Sequence, residues 1–128
     1  MLPIWMSDRR TPSRRNTALT IAGSDCSGGA GLQADLRTFA KLGVHGASVV
    51  TCVTAQNPNR VSAIQPMKPS VVEAQLEAVL GSFSAHAVKT GMLFSRPIID
   101  AVANRLAKRR GLQLVCLLYT SDAADDMQ

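Results

Sequence analysis

Few residues in this chain have the type and spacing for chemistry, and most gather around one glycine-rich stretch. Asp25 lies inside Gly23-Ser24-Asp25-Cys26-Ser27-Gly28-Gly29-Ala30-Gly31 and Asp35 follows just beyond it, so two carboxylates flank the loop. Gln56 comes directly after a Val- and Thr-rich run, and Lys89 and Met92 stand on either side of Thr90-Gly91. A glycine loop ahead of a helix invites a phosphate, because backbone N–H groups at a helix N-terminus bind anions. The specific phosphate motifs fail. Gly23 and Gly28 have the first spacing of a P-loop, but Gly29-Ala30 stands where Lys-Ser/Thr is required. Gly29-Ala30-Gly31-Leu32-Gln33-Ala34 matches G-x-G-x-x-A in form, yet it begins well past the strand end. No acidic residue occurs between Leu36 and Val72 to meet a ribose hydroxyl. No G-x-S-x-G elbow presents a serine nucleophile. What remains is a loop that lets a small planar or polyhydroxylated ligand approach the backbone closely.

Each candidate also has a plainer reading. Asp35, one turn into a helix, either faces a ligand amino or hydroxyl group or is an exposed carboxylate favoured by the N-terminal half of the dipole. Gln56 offers a donor and an acceptor together, as a heterocycle edge requires, and is otherwise a loop glutamine. Met92 packs on a flat ring or fills core. Lys89 is an edge-strand charge or a paired functional cation, with neither favoured. His45 and His86 fall at strand starts on the far rim and read as structural.

The elements that must position these residues alternate. Ala18–Ala22 is a short apolar strand ending at Gly23, and Leu32, Leu36, Phe39 and Ala40 follow at helical spacing until Gly43 stops the helix. Ala47–Thr54 reads as a second buried strand, Ala55–Asn59 as a loop, and Val61–Gln65 as a brief third strand. Ser70-Val71-Val72-Glu73 has the form of a capping box, opening a helix with Val72, Leu76, Val79, Leu80 and Phe83 inward. His86–Thr90 is the next strand. Ser95 caps a helix with Pro97 in its first turn and a stripe of Ile98, Val102 and Leu106, closed by Gly111. Leu112–Leu118 starts one more strand. This alternation predicts an α/β fold, a mostly parallel sheet with right-handed crossovers. Ligands of such sheets sit beyond the carboxyl ends of the strands, which puts Gly23–Gly31, Thr54–Asn57 and Gly91-Met92 on one rim.

Composition narrows the class. At 128 residues the chain is one domain by size, with 46% hydrophobic and 18% charged residues, an ordinary globular balance. No apolar run reaches the ~18–20 residues of a membrane span, and Leu2–Met6 is too short for a signal-peptide core. The net charge of +5 divides into +3 over residues 1–16, +5 over 17–115 and −3 in the tail. Lys108-Arg109-Arg110 is the one dense basic run of the body, and it suits the negative end of a helix dipole. Without interleaved aromatics it does not read as a nucleic-acid surface. Three cysteines, an odd number with no CxxC spacing, fit reduced thiols and a cytoplasmic setting, with no metal set. Residues 1–16, rich in Pro, Ser and Arg, read as a flexible extension, with Met6 as an alternative start.

Taken together, Ala18-Leu19-Thr20-Ile21-Ala22-Gly23-Ser24-Asp25, the run Ser27–Leu36, Thr54-Ala55-Gln56-Asn57 and Val88-Lys89-Thr90-Gly91-Met92-Leu93 resemble one family. They are similar to the amino-terminal half of the hydroxymethylpyrimidine/phosphomethylpyrimidine kinases of thiamine biosynthesis, in the ribokinase-like superfamily. Pyridoxal kinases of that superfamily are the nearest confusion. The resemblance covers about residues 17–115. It implies a truncated three-layer ribokinase-like fold with helices on both faces of the sheet. It also implies two successive ATP-dependent transfers, to the hydroxymethyl group and then to the monophosphate, with Mg2+ accompanying ATP. By this resemblance Gly23 lines the pyrimidine pocket through its backbone, Asp35 and Gln56 hydrogen-bond the substrate, and Met92 covers the ring.

The family chain is longer. Its second half carries the nucleotide site, a Gly-Thr-Gly-type anion hole and the residue that activates the hydroxyl, and none of these motifs occurs here. Catalytic residues are therefore expected outside this chain, and a homo-oligomer of the full-length enzyme is left open. Residues 116–128 fit no period, resemble translated sequencing-adaptor read-through and read as the atypical tail of a shortened gene model. A half-sheet ending in Leu112–Leu118 is expected to leave an unpaired edge and an uncovered face. The alternative function is a stand-alone module that binds a pyrimidine- or pyridoxal-like ligand without transfer.

Overall fold

The sheet is built outward from its first strand. In the computed structural model, which describes residues 16–117, β1 (Thr17–Asp25) is buried along almost its whole length. It pairs in parallel with β2 (His45–Asn57) on one side and with β4 (Ala85–Thr90) on the other. Antiparallel β3 (Arg60–Pro66) extends the sheet beyond β2, and parallel β5 (Gln113–Cys116) extends it beyond β4. The order is β3-β2-β1-β4-β5. Helices α1 (Gly31–Lys41), α2 (Pro69–Leu80) and α3 (Arg96–Ala107) make the crossovers.

Successive side chains of a strand point to opposite faces, so β1 must satisfy two environments at once. Leu19 and Ile21 turn to one face and meet Val49, Val88, Val72 and Leu76 of α2, and Ile98, Val102 and Leu106 of α3. Each fully buried Leu or Ile there contributes roughly 1.5–3 kcal/mol. Ala18, Thr20 and Ala22 turn to the opposite face, where Thr20 meets α1. Gly46, paired with Ala18, leaves room there for Leu36 and Phe39. Helices thus cover both faces, the three-layer arrangement the sequence implied. None of the described helices is long and apolar enough to cross a membrane.

Several expectations need correction. The expected loop Ala55–Asn59 is strand as far as Asn57, the end of β2, because β3 supplies ladder partners up to that residue. The hairpin turns where Asn57 Oδ1 accepts from the backbone N–H groups of Asn59 and Arg60, at 2.9 and 3.1 Å. Ser70 does not cap α2. That helix starts one residue earlier with Pro69 at its first position, where a missing N–H costs nothing. Ser95 does occupy the N-cap of α3, but its side chain makes no capping hydrogen bond. Ala40 is exposed, and Leu32 is the buried residue of the α1 stripe. Asn16 belongs with the fold, since its carbonyl accepts from His45 N at 3.0 Å, and Cys116 pairs with Thr90 in the sheet. Residues 1–15 of the expected extension and 118–128 of the expected tail, with Leu118 of the last strand, lie outside the described residues. Arg109 is not simply solvated: it donates to the Leu80 carbonyl at 2.8 Å, closing the C-terminus of α2 rather than its own helix.

β5 is the edge of the described sheet, with Leu114, Val115 and Leu117 about half exposed or more. Apolar grooves flank it on both faces, one along Leu93, Val102 and Leu114, the other along Ala18, Phe39 and Val115. Unpaired edges of this kind recruit further strands. The isolated chain is expected to sediment as a dimer or larger species, and Val115→Lys to return it to a 13.6 kDa monomer. A monodisperse wild-type monomer by sedimentation velocity would show that the edge is already protected.

Candidate functional site

The carboxyl ends of β1, β2 and β4 meet on one rim, around a pocket whose walls include Gly23, Asp25, Gln56, Lys89, Gly91 and Met92. Its floor depends on Asp25. This buried carboxylate accepts from Ser27 N at 2.9 Å, Ser27 Oγ at 2.7 Å and Ala30 N at 2.8 Å, so one side chain folds the whole glycine loop. The Ser27 hydroxyl and these backbone N–H groups hold its carboxyl below the ordinary value of 3.8, against the opposing pull of burial. Gln33 ties α1 to the same strand end, accepting from Asp25 N at 2.9 Å and donating to Ser24 Oγ at 2.7 Å. The helix approaches so closely that a Cβ on Gly31 would lie 2.5 Å from the Gly23 carbonyl, and Gly31 has φ +61°. Only glycine fits there.

Three strands and a helix then set the walls. Thr20 of β1 and Lys89 of β4 are register partners on the α1 side of the sheet. Asp35 of α1 lies across both, accepting from Thr20 Oγ1 at 2.7 Å and from Lys89 Nζ at 2.7 and 2.9 Å. The Asp35 carboxylate is only 12% exposed against 32% for the Lys89 side chain, so Lys89 lines the pocket with Asp35 behind it. Gln56 is held at both its backbone groups by Cys26, whose thiol accepts from Gln56 N at 3.3 Å and donates to its carbonyl at 3.2 Å. Met92 is fixed through its carbonyl, which accepts from Thr51 Oγ1 at 2.7 Å. Its methyl lies against Gly23, where an added Cβ would come 3.3 Å from Met92 Cε and 2.8 Å from Cys52 Sγ. Cys52 is buried, which pushes its thiol pKa up.

The structure therefore brings Gly23, Gln56 and Met92 together and places Asp35 behind Lys89, outside the pocket lining. Lys89 is paired, as one of its two readings allowed. Sequence reasoning missed Thr54, Cys26 and Gln33. The signal for Thr54 was its position two residues before Gln56, visible only once β2 is known to continue. His45 and His86 stand at the starts of β2 and β4, on the far rim, and His45 stacks on Phe83 with centroids 5.4 Å apart. A larger groove of about 630 Å3 lies at that end, walled by Leu36, Ala40 and Val44, without a convergent set of charged groups. Among the described residues no three His, Cys, Asp or Glu side chains are grouped to hold a metal ion.

A family model described as phosphomethylpyrimidine kinase matches residues 25–117. The chain belongs to this family. Asp35, Gln56 and Met92 fall within the matched segment, and Gly23 lies two residues before it. A hydroxymethylpyrimidine/phosphomethylpyrimidine kinase of Rhizobium meliloti is 47% identical over 109 residues, 83% of this chain and 41% of the relative. A phosphomethylpyrimidine kinase of Clostridium difficile superposes with TM-score 0.77 at 38% identity, covering 88% of this chain and 53% of that one. A Staphylococcus aureus pyridoxal kinase, solved in complex with AMP-PCP and pyridoxal, superposes with TM-score 0.73 at 32% identity, covering 88% of this chain and 42% of that one. The chain spans less than half the length of the curated relatives it matches. These likenesses carry the ribokinase-like fold.

Two substitutions test the loop. Gly31→Ala forces a side chain into the Gly23 backbone and a left-handed residue into strain, and is expected to lower stability by at least about 2 kcal/mol in urea denaturation. Because the Asp25 pKa is lowered by folding, its contribution is present above pH 3.8 and is lost as pH falls through the folded value. Asp25→Asn should therefore melt below wild type at pH 7, with the gap closing in acid. A gap independent of pH would mean that the charge contributes nothing.

Proposed function

We propose that this chain supplies the pyrimidine-binding part of a kinase that phosphorylates 4-amino-5-hydroxymethyl-2-methylpyrimidine and then its monophosphate. The observation that carries this reading is the junction of Gly23, Gln56 and Met92 in one pocket whose charges are already paired. Asp35 neutralises Lys89, and Asp25 is occupied by its own loop. Such walls suit a neutral heterocycle, which needs donors, acceptors and an apolar face rather than net charge. Gly23 admits the ring to the backbone, Met92 covers its face, and Gln56 meets its polar edge. Asp35 acts on the ligand through Lys89, whose ammonium it orients. ATP with Mg2+ is the phosphoryl donor of this reading. On this reading its site lies mostly in the family's second half, and the part of this chain is to hold the acceptor, since phosphoryl transfer depends on positioning as well as on charge stabilisation. Three free thiols accord with a reducing, cytoplasmic setting.

The likeness to a pyridoxal kinase favours one competing ligand, so calorimetry should compare the hydroxymethylpyrimidine with pyridoxal on the same chain. Saturable binding of the pyrimidine, tighter than pyridoxal and weakened about tenfold or more by Gln56→Ala, is the expected result. Tighter pyridoxal binding would reassign the substrate.

A further inference from the structure

Thr54 is buried, 2% exposed, and its hydroxyl stands between two oxygens. The Ser24 carbonyl lies 2.7 Å away and Gln56 Oε1 lies 2.8 Å away. A hydroxyl has one proton to give, and a backbone carbonyl can only accept. The Ser24 carbonyl takes that proton, so the other neighbour has to be a donor. The two ends of a primary amide are nearly the same shape, and hydrogen-bond partners decide which end is which. Turning the Gln56 amide by half a turn places Nε2 on Thr54 and satisfies both contacts. With the Gln56 backbone already held by Cys26, the side chain then has one orientation.

We propose that Thr54 is a specificity-setting residue, which fixes the Gln56 amide with Nε2–H on Thr54 Oγ1 and Oε1 facing the pocket. The β2 wall then presents an acceptor to the ligand. An exocyclic amino group on a heterocycle meets it, whereas a ring carbonyl at the same position sets two lone pairs against each other. The site thus selects amino over oxo heterocycles. This use of the orientation rests on the pyrimidine reading above; the orientation itself does not.

Two measurements on the 128-residue chain separate them. The first is side-chain amide proton exchange at Gln56 by nitrogen-15 NMR, without ligand. Slow exchange of one Nε2 proton in wild type and Thr54→Ser, lost in Thr54→Val, is expected. Exchange in wild type as fast as at exposed Gln65 and Gln113 overturns the proposal. The second is calorimetry with 4-amino-5-hydroxymethyl-2-methylpyrimidine and its 4-oxo analogue. Wild type and Thr54→Ser should prefer the amino compound by about tenfold or more, and the preference should collapse to about threefold or less in Thr54→Val, whose amide is free to turn. An unchanged preference in a folded Thr54→Val chain overturns the specificity role. If wild type takes neither compound while the Gln56 proton stays protected, the orientation is supported and the pyrimidine reading falls.

Discussion

The structure depends on one constraint: β1 is covered on both faces, so neighbouring residues of a single strand must serve two unlike environments. Leu19 and Ile21 enter the apolar layer beneath α2 and α3, while Ala18, Thr20 and Ala22 face α1 at close range. The second face has room only for small or paired groups. Thr20 is tolerated there because its hydroxyl donates to Asp35, and Asp35 because it also receives Lys89 from the next strand. Removing one member would leave a partly buried charge without its partner, which costs more than the pair contributes.

The same economy shapes the rim. Asp25, Asp35, Thr54 and Cys26 all spend their polar atoms on the protein rather than holding them out to solvent. Their effect is to fix the position of what does face the pocket: the Gly23 backbone, the Lys89 ammonium, the Gln56 amide and the Met92 side chain. Groups held in this way are preorganised, and preorganisation lowers the ordering cost of binding.

The sequence disclosed the elements whose periodicity is strong and the motifs whose spacing is long. The stripes of α2 and α3 were legible because their burial follows a single period, and the three convergent segments because strand ends in a parallel sheet share a rim. The extension of β2 through Gln56 was not, since it depends on hairpin pairing with β3 right up to the tight turn made by Asn57, and the residues there read as turn rather than strand. Ser70 misled because Pro69 competes for the same helix start and is preorganised for it. That Asp35 stands near the rim was legible, but not that Lys89 shields it, because the two are 54 residues apart and meet only through sheet register. Which side chain stands in front is a matter of packing.

Core and site are specified by the same register. Lys89 faces Asp35 because Val88, its neighbour, faces Leu76 and Ile98, and a strand has only two sides. A slip of β4 by one residue against β1 would turn Lys89 into the apolar layer and Val88 toward a carboxylate, so the hydrophobic pattern forbids the slip and fixes the ion pair with it. The same holds on β2, where Cys52 and Thr54 share the side that meets β1's end, and Gln56 continues that line to the rim. Precision at the pocket is therefore not a separate achievement of the loops. It is inherited from the burial of Leu19, Ile21, Val49 and Val88, which hold β1, β2 and β4 in the one alignment that places Gly23, Gln56 and Lys89 around a common space.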